Sequence, residues 1–333
     1  MINQALINSE VTHGNYGLEM LLRTMAIQEA SLPIVGNVYY VVPTAQSNYV
    51  QFVKYYQRKY EDSSEMIQTT LAAAMTACVA NRGDVIFLAP GFTLAVSSAT
   101  GLLFNKAGVT IIGMGSGLNR PTITLDTAAT ATIAVSAANI QMHNVIVTAN
   151  FADIVSAFTL AAAKDFNLHK CDFLATAVDM NFLHIIDTNT TDNSYDGLRV
   201  TECNWLEVDA ATLAFMLADA SAVRVNISDN VMNTGNATAD IAALVTFAAG
   251  KIWTHARIMR NNVSIVGNAG STAGLFMTTN STTHTGLETD NFLSHIDATT
   301  ELFQTANMGF GLNNNKATGV KATQGYLLPA ADA

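Results

Sequence analysis

The stretch DTNTTDNSYDG (187–197) groups Asp187, Asp192 and Asp196, and Glu202 and Asp209 follow soon after. Two carboxyl groups held at a fixed separation hydrolyse a glycosidic bond, and several oxygens around one ion serve a calcium-assisted lyase. The spacing does not match an EF-hand loop. The interleaved Thr, Asn, Ser and Gly read first as a polar loop between structural elements, so the three aspartates are weak catalytic candidates. His143, His169, His184, His255, His284 and His295 are scattered, with neither HExxH spacing nor a cysteine partner nearby. GMGSGLNRP (113–121) lacks the Lys-Ser/Thr ending of a P-loop and leads into the strand-like TITL, which makes it a turn. Cys78, Cys171 and Cys203 give an odd count with no close pair, so they read as buried thiols. No cofactor or metal follows from these patterns.

Composition narrows the classes. The 333 residues are 50% hydrophobic and only 13% charged, against roughly 25% charged in an average soluble domain. The net charge of −10 and the lack of a basic stripe exclude a nucleic-acid partner. No run approaches the ~18 uninterrupted apolar residues of a membrane span, and MINQALINSEVTHGN shows no charged segment leading into an apolar one, so no secretory signal is read.

The elements that must position any site show themselves as a repeat. HNVIV (143–147), CDFLA (171–175), CNWLE (203–207), DNVMN (229–233), NNVSI (261–265), DNFLS (290–294) and NNKAT (314–318) recur at 24 to 32 residues. Their second positions are Asn144, Asp172, Asn204, Asn230, Asn262, Asn291 and Asn315. Four residues earlier stand Ile140, Leu168, Val200, Ile258 and Leu287. A second apolar stretch follows each anchor, around Phe158, Phe182, Phe215, Val245, Phe276 and Phe303. Period-two patches rich in β-branched and aromatic residues, separated by turn formers, predict short strands. At this coil length they predict a parallel β-helix, each coil laying its strands on those of the coil before. The seven anchors then form a structural ladder: a corner amide satisfies backbone groups that leave the sheet, and bonds its equivalent about 4.8 Å away.

The segment SSEMIQTTLAAAMTACVANRGDVIFLAPGFTL (63–94) adds a specific likeness. With its helix followed by a Gly-Asp, strand, Pro-Gly run, it resembles the opening of the right-handed parallel β-helix, or pectate-lyase-like, superfamily, of the kind found in tailed-phage virion proteins. Asp62 and Glu65 have capping-box spacing, and Ile67, Leu71, Ala74 and Cys78 make an apolar stripe. The expected architecture is all-β: an N-terminal arm (1–60), holding the strand candidate NVYYVVP (37–43), a capping α-helix (61–82), the right-handed parallel β-helix (83–320) and a C-terminal tail (321–333). The resemblance implies a structural protein of a tailed-phage virion, either a capsid decoration or a tail-associated fibre or spike. It would be made in the host cytoplasm and assembled with other virion proteins as a homo-trimer. The alternative is a tailspike-type depolymerase acting on a host surface glycan.

Overall fold

A computed structural model describes residues 36–44, 66–177, 179–206, 213–234, 242–265, 273–278, 283–295, 300–304, 309–317 and 326–327. Among these the regular structure is strand, apart from one α-helix, Leu71–Ala77, the 3-10 turn Gly117–Asn119 and a 3-10 residue at Met66. The sheets are parallel and stacked coil on coil, so the fold is the all-β parallel β-solenoid that the repeat predicts. The chain divides into two compact units.

The first unit comprises residues 1–92, 106–121 and 140–144. Its sheet runs Ile67–Gln68, Val38–Val41, Val85–Leu88, Thr110–Gly113, Gln141–His143, in that spatial order. Val38–Val41 is therefore a buried interior strand, paired through Tyr40 with Ile67 and through Val38 with Val85, although it lies in the stretch expected to be a separate arm. The helix is shorter than the expected one. Thr70, in extended backbone, caps it by accepting from the Ala73 amide at 3.1 Å. Ile67 belongs to a strand, Cys78 ends the helix, and the buried face is Leu71, Ala74 and Met75. Asp62 and Glu65 lie outside the described residues.

The Gly-Asp pair of the opening motif has a physical role here. Asp84 is fully buried, and its Oδ1 accepts from the Asn37 amide (2.7 Å) and Arg82 Nε (2.6 Å). Its Oδ2 accepts from the Val79 amide (2.8 Å) and Arg82 Nη2 (2.7 Å). Arg82 Nη2 also donates to Tyr39 Oη (3.1 Å), which itself donates to Ala77 O at the helix end (2.8 Å). One carboxylate thus ties the Val38–Val41 strand, the helix end and the next strand together. Gly36 makes room for it, since a Cβ there would stand 2.3 Å from Asp84 Oδ1. GMGSGLNRP is a turn, as expected, and Asn144 anchors it by donating to Gly113 O (2.8 Å) and Gly115 O (3.0 Å).

The second unit comprises residues 93–105, 122–139 and 145–333. From Asn167 onward its chain visits three sheets in rotation. The first holds Asn167–His169, Arg199–Thr201, Asn226–Ser228, Ala256–Met259, Gly286–Thr289 and Gly311–Asn313. The second runs from Thr93–Val96 to Tyr326–Leu327, and the third from Leu102–Phe104 to Thr300–Gln304. The predicted second stretches around Phe158, Phe182, Phe215, Val245, Phe276 and Phe303 all belong to strands of the third sheet.

Because side chains alternate across a strand, the second sheet sends an aligned row of side chains inward. Val147, Phe173, Trp205, Met232, Val263 and Leu293 are in register and buried. Full burial stabilises by roughly 1.5–3 kcal/mol for each side chain of this size. Phe215 of the third sheet packs against two of them, with its ring centroid 6.2 Å from Phe173 and 5.7 Å from Trp205. In the first sheet the inward row is Leu168, Val200, Ile227, Ile258 and Glu288. The sequence pattern placed Leu287 in that row. The structure turns Leu287 outward, because Ile258 pairs with Glu288.

Candidate functional site

The repeating corner between the first and second sheets is where the anchors were expected to meet. Each coil of the second unit bends there at a residue with positive φ: Lys170, Glu202, Asp229, Arg260, Asp290 and Asn314. The residue after it begins the inward ladder. These positions are Cys171, Cys203, Asn230, Asn261, Asn291 and Asn315.

Four of them form a continuous buried amide chain. Asn230 Nδ2 donates to Asn261 Oδ1 (2.9 Å), Asn261 Nδ2 to Asn291 Oδ1 (3.0 Å), and Asn291 Nδ2 to Asn315 Oδ1 (3.1 Å). Each amide also donates to a carbonyl one coil back: those of Val200, Ile227, Ile258 and Glu288 in turn. Each Oδ1 accepts the backbone N–H of the preceding ladder residue, beginning with Cys203 N to Asn230 Oδ1 at 2.9 Å. Asn261 and Asn291 thereby use both donors and both acceptor sites, which makes a buried amide tolerable. Toward the N-terminal side cysteine takes over. Burial, followed by the neighbouring Cys171 thiol, pushes the Cys203 thiol up, and each thiol donates to a carbonyl of its own coil: Cys171 Sγ to His169 O (3.5 Å), Cys203 Sγ to Thr201 O (3.4 Å).

Of the seven predicted anchors, Asn230, Asn291 and Asn315 occupy the ladder. Asn261 also occupies it and was missed, one residue from the predicted Asn262. Asn262 and Asn204 are the first residues of their strands and are exposed, and Asp172 stands at the same outward position. Asp172 Oδ1 accepts from Asn204 Nδ2 at 2.8 Å on the outer face. Asn144 is itself a positive-φ residue. The physical reason is the two-residue strand period: a slip of one along the chain exchanges inside for outside.

The three candidate catalytic aspartates do not converge. Asp192 and Asp196 lie in the turn between the third and first sheets and cap amides of the next coil. Asp192 Oδ1 accepts from Ser221 N (2.8 Å) and Lys251 Nζ (3.0 Å), and these contacts, led by the Ser221 amide, hold its carboxyl below the usual range. Asp196 Oδ1 accepts from Val223 N at 2.9 Å. The polar-loop reading describes both. Asp187 alone sits on a strand, facing outward from the third sheet between Thr159 and Leu217. Among the described residues its Oδ1 has no hydrogen-bond partner, and partial burial, then the charge of Asp219, push its carboxyl up to about 6. Asp219 was not singled out in the sequence, because its nearness to Asp187 exists only across coils.

The histidines serve separate places. His169 Nδ1 meets Thr201 Oγ1 (2.9 Å), His184 Nδ1 meets Val155 O (3.3 Å), and His284 Nδ1 accepts the Trp253 amide (3.1 Å). His143 Nε2 lies 3.2 Å from Gln141 Oε1, and the side chain of His295 lies outside the described residues. Burial lowers His284 to about 4. Beside it, Trp253 Nε1 donates to Tyr195 Oη (2.9 Å), which donates to Ala220 O (2.5 Å). Among the described residues no three His, Cys, Asp or Glu side chains are placed to hold a metal ion, and no helix is long and apolar enough to cross a membrane.

What remains outward is mostly uncharged. In register along the third sheet the outer row reads Leu103, Ala134, Thr159, Asp187, Leu217, Thr246 and Thr278, with one charge in seven coils. Leu103 is 40% exposed. No known protein family, curated protein or solved structure matches the chain.

Proposed function

We propose that the chain is a non-catalytic structural subunit of a larger assembly, specifically a tailed-phage particle, as a capsid decoration or a tail-associated fibre or spike. The observation that carries this reading is the outer row of the third sheet, where Asp187 is the only charge between Leu103 and Thr278. Protein surfaces that stay in water are charge-rich, whereas the centres of interfaces are depleted in charge. Parallel sheets are also usually covered on both faces. The polar residues that looked catalytic support the same reading, since Asp192 and Asp196 are engaged in holding one coil to the next.

The test has two arms. Purified protein incubated with capsular and pectic polysaccharides is expected to release no new reducing ends or unsaturated products. Cleavage that disappears in Asp187→Asn would replace the structural reading with the depolymerase one. In particles purified from a lysate of the producing host, the chain is expected as a stoichiometric component, and its absence would remove the virion assignment.

A further inference from the structure

The amide chain does not run the whole length of the corner. Toward the N-terminal side its places are taken by Cys171 and Cys203, on adjacent coils. The coils are locked in register around them. His169 Nδ1 meets Thr201 Oγ1 at 2.9 Å, Lys170 Nζ lies 4.0 Å from Glu202 Oε2, and Asn204 Nδ2 donates to Asp172 Oδ1 at 2.8 Å. These contacts tie the residues flanking one cysteine to the residues flanking the other, so the two cysteines face each other. Asp172 and Asn204 are register partners in the second sheet, which sets the cysteines just before them one strand spacing apart, about 4.8 Å. A disulfide spans Cα separations of roughly 4.4–6.8 Å. Both side chains are buried, and their thiols hydrogen-bond each other. The Val145 backbone bonds Cys171 Sγ and the Cys171 backbone bonds Cys203 Sγ, as the Cys203 backbone bonds Asn230 Oδ1 one place further on. Sulfur thus occupies the ladder, but with chemistry that an amide lacks.

We infer that Cys171 and Cys203 are an oxidation site, which a small hydroperoxide converts into a disulfide stapling one coil to the next. This stands apart from the assembly reading and needs no partner chain. The pair lies one side chain beneath the surface. Lys170 and Glu202, just before the cysteines, are exposed, and so is Asn204 just after the second. A reagent little larger than water therefore reaches the sulfurs through a local opening of the corner. Cys171 is the attacking sulfur. The hydrogen bond from Cys203 holds its thiol below the ordinary value, whereas burial pushes Cys203 up. The Cys171 thiolate attacks one peroxide oxygen, the O–O bond breaks, and the departing hydroxide takes up the proton Cys171 released, leaving as water. Cys171 is then a sulfenic acid. Cys203 attacks its sulfur, the S–O bond breaks, and that hydroxide leaves as water with the Cys203 proton. Two thiols are oxidised to one disulfide, and one peroxide is reduced to two waters. The disulfide closes the loop 171–203 and joins the coils covalently where the amide chain stops.

The experiment treats the full chain with hydrogen peroxide, in native buffer and in parallel in concentrated urea. Free thiols are then alkylated and the peptides mapped by mass spectrometry without reductant. In native buffer the expected product is about 2 Da lighter, with Cys171 joined to Cys203 and Cys78 alkylated. In urea the three cysteines should pair in a mixture, because the fold no longer selects. The oxidised native chain should show a higher urea midpoint, which dithiothreitol returns to its starting value. In Cys203→Ser, dimedone should label Cys171, and in Cys171→Ser it should label Cys203 roughly tenfold more slowly. Native pairing that involves Cys78, or no intramolecular disulfide at all, overturns the inference. Equal labelling of the two variants removes Cys171 as the attacking sulfur, while the mapped disulfide still upholds the site. The mapping uses the unsubstituted chain, so misfolding of a serine variant cannot imitate either result.

Discussion

Exchanging Asn261 for leucine tests the ladder at a fully bonded member, and Asn262 next to it supplies the control. Asn261 donates to Asn291 Oδ1 (3.0 Å) and Ile227 O (2.9 Å), and accepts from Asn230 Nδ2 (2.9 Å) and Asn230 N (3.2 Å). Leucine has the same number of side-chain heavy atoms and the same branching and is the bulkier of the two, so no cavity opens, but none of these four groups regains a partner from it. The buried Asn230 N–H is left without an acceptor, at a cost of ~1–3 kcal/mol. Asn230 Nδ2 keeps Val200 O, and Asn291 Oδ1 keeps the backbone N–H of residue 261, so each loses one bond of net worth ~0.5–1.5 kcal/mol. The leucine's apolar burial offsets part of this, leaving an expected destabilisation of about 2–4 kcal/mol. Asn262 is exposed, and Asn262→Leu is expected to stay within about 0.5 kcal/mol of wild type. Urea denaturation followed by the fluorescence of buried Trp205 and Trp253 measures both variants, with the midpoints compared at equal slope. Hydrogen exchange at the Asn230 amide should accelerate in the first variant alone. Equal midpoints for the two variants would refute the ladder as a source of stability.

Three further outcomes are expected. Asp187 has its folded pKa raised from 3.8 to about 6, so its stabilising contribution is complete below 3.8 and lost as the pH rises through 6. Asp187→Asn in dilute protein should therefore be more stable than wild type at pH 7, by on the order of 1 kcal/mol once solvent screening is allowed for. The difference should close toward pH 4, and a constant difference in a pH series of denaturation midpoints would refute the assignment. His284 behaves oppositely: with its folded pKa lowered from 6.5 to about 4, its contribution is present above 6.5 and lost as the pH falls through 4, a slope that should flatten in His284→Gln. Trp253→Phe removes the indole donor to Tyr195 and is expected to cost ~1–3 kcal/mol, whereas Trp205→Phe removes a buried N–H that has no partner among the described residues and should cost less despite equal burial. Thermal melts of the two variants should rank in that order.

The sequence by itself determined the coil. Its recurring Asn-rich anchors, the β-branched patches and the second stretches from Phe158 to Phe303 are local chemistry, and local chemistry decides that a segment is a strand and where it must turn. It also exposed the loop character of Asp192 and Asp196, whose Asn, Thr and Ser neighbours are turn formers. Only the tertiary structure decided which residue of each anchor points inward. DNVMN and NNVSI look alike as strings, yet the ladder takes the second residue of one repeat as Asn230 and the first of the other as Asn261. Likewise Glu288, and not Leu287, faces the core. A strand has a period of two, so its sequence fits two opposite placements almost equally well. The choice between them is made by hydrogen bonds to residues 24 to 31 positions away, which no stretch of the chain contains by itself. A like separation along the chain hid Asp219 from Asp187.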